Sequence, residues 1–365
     1  MTEHAGEFEW RREGEEAEVV LFAPDETGAE RGLERALPFA QLPGAQNPVY
    51  AAATREDFGC LVSSSSHISP DLLSVPERGV LLVVEAVGAG RPSARDLTGL
   101  VMRELSATRV SAPSENWIQR LSEEGASAAA EEGLIDEEDL AFFSIAPGDP
   151  DALGQRAISA GIRGWRERPG TTEAFEVVEI LDSDASENLG LERGFLVLVL
   201  RSGAGDLGRL TIDAHRERIR ARAEEFGTGV GPTAAPFESE EAPDLLAATN
   251  AAANFADGRM SLLIHAARRA AGETVGEIRL QAAWRIGGLE HVAAATMTHR
   301  MNLAAVEDGQ TLISTRAGGG VVGCSTGNMS GSAPPFGSVA FDGRDVWEEA
   351  GLLARWARLA SEDRG

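Results

Sequence analysis

Strand-length and helix-length segments do not alternate regularly along this chain, and that irregularity constrains the fold most. A doubly wound parallel sheet needs a repeating strand–helix rhythm; segregated runs of strands and helices predict an α+β architecture. Strands are predicted at Glu18 to Phe22 (EVVLF), at 80–87 (VLLVVEAV), at Phe175 to Leu181 and at Gly194 to Arg201, the last two joined by a turn-rich connection. Helices are predicted over 94–108, across the acidic stretch 113–145, from Asp149-Pro150 onward, over 211–226 and over the alanine-rich 241–272. Asp149 is a good N-cap, and Pro150 suits a first helical turn. Strands follow in EIRLQAAWRI, EHVAAATMTHRMNLAAV and QTLISTR, and the tail DVWEEAGLLARWARLA reads as an amphipathic helix. Three segments are expected: an acidic one over 1–35, one main domain over 36–345 and a terminal helix over 346–365.

Charge limits the chemistry. The 365 residues carry 33 Lys+Arg against 58 Asp+Glu, a formal charge of −25, and all 33 cations are arginine. A chain without lysine cannot attach a nucleotide to lysine or supply a P-loop lysine. Phosphate contacts dominate nucleic-acid affinity, so this balance disfavours RNA binding by long-range attraction. Hydrophobic residues make up 43%, enough for a sizeable core. There is no apolar run of membrane-spanning length, the first residues are polar and acidic, and Cys60 and Cys324 are the only cysteines. These features predict a cytoplasmic protein with no membrane partner and no disulfide framework.

Two short motifs match a pattern and lack its context. Gly203-Ala204-Gly205-Asp206-Leu207-Gly208 fits GxGxxG between a strand and a helix, but no second strand ending in an acid follows; it reads as a turn. Gly323-Cys324-Ser325-Thr326-Gly327 fits a nucleophile elbow, yet no histidine follows Ser325. His4, His67, His215, His265, His291 and His299 fall in no metal-binding spacing, and His215 and His265 are expected on charged helix surfaces. The glycine-rich stretches 202–208 and 318–332 could bind an anion through backbone N–H groups. The candidate nucleotide-binding residues there are Ser202, Gly203, Gly205, Gly327, Asn328 and Ser330.

Several segments in order resemble the RtcB family of GTP-dependent RNA ligases. EEDLAFFSIAPGDPDALGQRAISA (137–160) is similar to the family's acidic helix and ADPDAVSERALERG. Pro169 to Glu179 sits where the family has LGTLGSGNHFIEV, and LRSGAGDLG (200–208) resembles LHSGSRGLG. Asn254-Phe255-Ala256 to Arg259 resembles NFAxANR, Thr298-His299-Arg300 resembles CHN or HHN, and Thr315-Arg316 the start of TRKGA. Gly327-Asn328-Met329-Ser330 echoes PGSMG, so the resemblance runs from about residue 36 to 343.

The resemblance implies a single RtcB-like α+β domain of central sheets flanked by helices. It also implies joining of an RNA 3′-phosphate or 2′,3′-cyclic phosphate to a 5′-hydroxyl, with GTP and two manganese ions. The family's metal ligands, an Asp and a Cys in VGVDIGCGM and three histidines, correspond to Pro76, Gly79, Glu176, Arg201 and His299, so His299 is the one metal position retained. The guanylate-carrying histidine of HGAGR has no counterpart. One histidine cannot hold two divalent ions, and Arg201 would put a permanent cation where a metal sat. The residue content therefore predicts no catalytic residue and neither cofactor. An ion pair between Arg201 and Glu176 would take the metal's place. The expectation is an inactive regulatory or binding protein, partnered by another RtcB-type protein or an RNA-processing factor. The alternatives are an altered enzyme that keeps phosphate or nucleotide binding, and an active ligase with relocated ligands.

Overall fold

A computed structural model describes residues 3–6, 9–13, 16–22, 26–45, 49–53, 60–63, 67–70, 77–84, 92–107, 113–143, 148–166, 173–180, 195–229, 231–272, 278–286, 302–306, 310–314 and 321–328. The first part of the chain gives β1 (Glu3–Gly6), β2 (Glu9–Glu13), β3 (Glu18–Phe22), α1 (Glu26–Ala40), β4 (Val49–Ala53), β5 (Cys60–Ser63) and β6 (His67–Ile68). Then come β7 (Glu77–Val84), α2 (Ala94–Ala107), α3 (Glu115–Glu124), α4 (Ala126–Glu131) and α5 (Gln155–Arg166). The rest gives β8 (Glu173–Ile180), β9 (Leu196–Gly203), α6 (Gly205–Ala221), β10 (Ala235–Pro236), α7 (Glu241–Gly272), β11 (Ile278–Ile286), β12 (Asn302–Val306), β13 (Gln310–Ser314) and β14 (Val321–Asn328). The result is the mixed α+β class expected from the order of elements.

Three sheets form. The small N-terminal sheet runs β1-β2-β3-β4-β5. Its one parallel pair, β3 with β4, is bridged by α1, whose Leu33, Ala36 and Phe39 are buried against Val19 and Val49. The helix and the other four strands, β1, β2, β4 and β5, go beyond the single strand predicted for that part of the sequence. β6 pairs with β10 as a two-stranded ribbon. The main sheet has seven strands in the order β11-β7-β9-β8-β14-β13-β12, with every neighbouring pair antiparallel. β8 and β9, consecutive in the chain, are neighbours in this sheet.

Side chains alternate across the main sheet. Leu82 and Val84 of β7, Val177 of β8, and Leu196, Leu198 and Leu200 of β9 all lie on one face. They are buried with Leu97 and Val101 of α2 and with Met260, Leu263 and Ile264 of α7. A second core gathers Trp117, Ile118 and Leu121 of α3, Ile158 of α5, Leu207 of α6 and Phe255 of α7, with Trp117 meeting Trp165 edge-on at 5.5 Å.

Helix α7 belongs to both cores. A helix apolar or small on all sides can be buried on all sides, and its alanines let neighbours come close. Gly148 does so against the helix backbone: a Cβ there would lie 2.7 Å from the backbone nitrogen of Ala251. The next residue, Asp149, donates its backbone N–H to the carbonyl of Ala247 at 3.2 Å.

Where the predicted helices differ from the structure, glycine and backbone geometry explain the difference. The stretch 113–145 is not one helix. Gly125, at φ 60°, separates α3 from α4, and Glu137–Phe142 is a short 3-10 helix. Asp149-Pro150 opens a 3-10 turn (Pro150–Leu153), whose Asp149 carboxylate accepts from the N–H of Asp151; Gly154, at φ 77°, ends it before α5. Predicted helix 211–226 instead begins at Gly205 and ends at Ala221, whereas 241–272 matches α7 at both ends. The predicted C-terminal helix lies outside the described residues. Gly148→Ala is expected to destabilise the protein by about 1–3 kcal/mol, because the clash is with helix backbone that cannot rotate away. Urea denaturation with an unchanged slope and a lower midpoint checks this.

Candidate functional site

The ladder of the main sheet brings together three of the positions that the resemblance sets against the family's metal ligands. Arg201 stands opposite Gly79 on β7 and opposite Ala174 on β8. One row along, Val199 stands opposite Leu81 and Glu176, and Glu176 stands opposite Asn328 on β14. Residues two apart on a strand share a face, so positions 79, 176, 201 and 328 occupy one face of the sheet. It is the face opposite the one that packs on α2 and α7. Positions 176 and 201 are diagonal neighbours, within reach of a long side chain. Pro76, His299 and Ser330 lie outside the described residues.

A metal site needs several imidazole, carboxylate or thiolate donors in fixed geometry. At the three described positions the chain offers a glycine, one carboxylate and one guanidinium. That set does not fit a divalent ion.

The glycine-rich stretches take more regular forms than loops. The region 318–332 contains a full strand, β14, paired with both β13 and β8, so Gly327 and Asn328 are ladder residues. The stretch 202–208 is a strand–helix junction. β9 ends at Gly203, only Ala204 intervenes, and α6 begins at Gly205 with φ 53°. Ala204 gives α6 no side-chain cap, although its carbonyl accepts the N–H of Gly208 at 3.3 Å. The first backbone N–H groups of α6 therefore lack intrahelical partners. Ser202 is 2% exposed on the helix-packed face, and its hydroxyl makes no hydrogen bond with any described residue.

The resemblance motif Asn254-Phe255-Ala256 holds neighbouring elements in place. The amide of Asn254 donates to the carbonyls of Ser122 and Glu123 at 3.1 and 3.2 Å, satisfying the end of α3. Phe255 sits in the aromatic core 6.3 Å from Trp165.

Two histidines expected at charged helix surfaces are buried instead. His215 Nε2 donates to the carbonyl of Ala152 at 3.1 Å, which leaves Nδ1 with no partner among the described residues. Burial pulls its pKa below the ordinary value, and the Ala152 carbonyl and Asp244 only partly oppose this. His265 Nδ1 lies 2.8 Å from a carboxylate oxygen of Asp139. Asp139 is fully buried; that same oxygen accepts the backbone N–H of Asp136 at 3.0 Å, and the other oxygen accepts from Arg268. Burial alone would raise this carboxyl's pKa, but the bonds from His265 and Arg268 outweigh it and hold the group below the usual range. A helical spacing shows such a histidine's face; its partner, more than a hundred residues away, leaves no trace in the sequence.

Donor atoms of Asp136, Asp139 and His265 lie within 4.8 Å of one another, a separation that metal ligands also show. Both Asp139 oxygens are already taken, and Arg268 neutralises the carboxylate with a permanent charge. The cluster is an ion-pair network that ties the 3-10 helix Glu137–Phe142 to α7.

Both groups make stability pH-dependent. A lowered histidine pKa means the unfolded chain takes up the proton first, so stability is lost as pH falls below about 6.5. His215→Gln is expected to flatten the stability slope between about pH 6.5 and 5, where one proton contributes about 1.4 kcal/mol per pH unit. The Asp139 contribution persists above 3.8 and is lost as pH falls through its lower folded value. Asp139→Asn is expected to cost about 3 kcal/mol at pH 7 and less near pH 3. Denaturant titrations across that range check both.

Comparison with known proteins supports the family resemblance. The model of the tRNA-splicing ligase RtcB family matches residues 88–318, which includes positions 176, 201 and 299 and leaves 76, 79 and 327–330 outside. The chain is 24% identical over 167 residues to RNA-splicing ligase RtcB homolog 1 of Entamoeba histolytica, an alignment covering 42% of this chain and 31% of that protein. The match thus spans under a third of that relative's length. No helix among the described residues is long and apolar enough to cross a membrane. With the family model matching well over half of its residues, the chain belongs to the RtcB family.

Proposed function

We propose that this chain is an RtcB-family protein without the family's metal-dependent joining chemistry, acting as a binding or regulatory protein in RNA end processing. The observation that supports this most is the ladder that lines up Gly79, Arg201 and Glu176 on one face. If those are the ligand positions, the site pairs a guanidinium with a carboxylate. An ion pair stabilises a pocket without activating water, phosphate or GTP. Its partner would be another RtcB-type protein or an RNA-processing factor, and its place of action the cytoplasm.

A second reading, an altered enzyme that keeps phosphate or nucleotide binding, draws support from the uncapped start of α6 at Gly205. The two readings share a scaffold and differ in whether a ligand binds there.

The test is manganese content and guanylylation of the folded protein, with labelled GTP and an RNA pair ending in 3′-phosphate and 5′-hydroxyl. The expected result is no stoichiometric manganese, no protein–GMP adduct and no joined RNA. Stoichiometric manganese together with an adduct would overturn the proposal. A positive control for the register is the combined variant Pro76→Asp, Gly79→Cys, Glu176→His, Arg201→His. It is expected to bind manganese that the unmodified chain does not.

A further inference from the structure

The 3-10 turn Pro150–Leu153 is a small element set against two long helices. It meets α7 through the backbone N–H of Asp149, which donates to the carbonyl of Ala247, and its Leu153 is 1% exposed in the second core. It meets α6 through the ring of His215, whose Nε2 lies 3.1 Å from the carbonyl of Ala152. A carbonyl oxygen only accepts, so Nε2 carries the proton, and in the neutral ring Nδ1 is a bare acceptor. That atom is buried and has no partner among the described residues. His215 is 2% exposed and sits between Ile212 and Ile219, on the stripe of α6 that packs against Ile68, Ala235 and Leu245.

A second proton on this ring would create an N–H donor without an acceptor and a positive charge among apolar side chains, both costly away from water. The bond to Ala152 favours the charged ring, but burial outweighs it and keeps the pKa below the ordinary value. Two charges act on the ring in opposite senses: Arg218 of α6 disfavours the proton, and Asp244 of α7 favours it. They are paired with each other at 2.7 Å. Of the other charged groups on the packed elements, Asp213 pairs with Arg216 and Glu241 with Arg222, while Asp149, Asp151 and Arg156 are exposed. His67 on the adjoining ribbon is buried too, with Glu238 favouring its charged form. Water reaches Nδ1 only if a covering element moves. α6 and α7 are 17 and 32 residues long, whereas the turn has four and ends at Gly154, whose φ of 77° makes it a pliable joint.

We propose that His215 is a proton-operated latch: its protonation releases the turn Pro150–Leu153 from α6 while the helices stay folded, baring the seat of Leu153. The opened ring lies in water and takes up a proton before the closed ring does. The open form therefore gains by up to about ten-fold for each pH unit below about 6.5. Opening four residues exposes far less of the structure than global unfolding, so it comes first as pH falls. The latch is separate from positions 79, 176 and 201, and it holds under either reading of that face.

The test is amide hydrogen exchange of the full chain at about pH 7 and about pH 5, corrected for the intrinsic pH dependence of exchange. Protection across 149–155 is expected to fall at least about five-fold more than protection in the middle of α7. In His215→Gln, whose amide can donate to Ala152 and takes up no proton, the ratio of the two segments is expected to stay the same at both pH values. His67 is present in both proteins, so the comparison isolates His215. Ring NMR of the unmodified chain is a second readout: the midpoint at which Nδ1 takes its proton is expected to coincide with the midpoint of the turn's opening, and this carries the test if His215→Gln does not fold. Unchanged protection of the turn, a loss that α7 shares, a loss that His215→Gln retains, or midpoints that differ would overturn the proposal.

Discussion

The architecture depends on the burial of one long helix. α7 runs for 32 residues with α2, α3, α4 and α6 against it and the main sheet beneath it. Such a position leaves no solvent to satisfy polar atoms, so its polar side chains need protein partners. Asn254 finds the end of α3, Thr249 the carbonyl of Leu245, and His265 the Asp139 carboxylate. The partners of Asn254 and His265 come from elements that α7 also packs against by shape. Polar and apolar contacts therefore specify the same arrangement, which is what a unique fold requires.

Reading from sequence succeeded where local pattern and tertiary demand coincide. α7 was legible at both ends because alanine favours helix and tolerates close packing on every side. β3 was legible as a short run of β-branched and apolar residues between acidic flanks. The break at Gly125 was hidden, because a glycine inside a helical pattern does not announce a left-handed turn. The β14 ladder was hidden behind glycines: Gly323 and Gly327 sit in a strand only because β13 and β8 hold it on both sides. The burial of His215 and His265 was invisible for a related reason. A histidine among arginines and acids looks solvated until a distant carbonyl or carboxylate claims it.

The candidate site was legible as residue types and illegible as geometry. That Gly79, Glu176 and Arg201 stand where ligands are expected came from the resemblance. That they share a face needed the strand register, which joins positions more than a hundred residues apart.

The sheet's two faces carry separate obligations. One is filled by Leu82, Val177, Leu198 and Leu200 and answers to packing on α2 and α7. The other carries positions 79, 176, 201 and 328, which the strand register sets on one side. Asn254 illustrates the consequence of that division. A residue that looks like part of a family's functional signature is here holding up the end of a neighbouring helix, and the need to close that end persists whatever happens to the chemistry. Kinship measured over such residues reports on the scaffold and is silent on the chemistry.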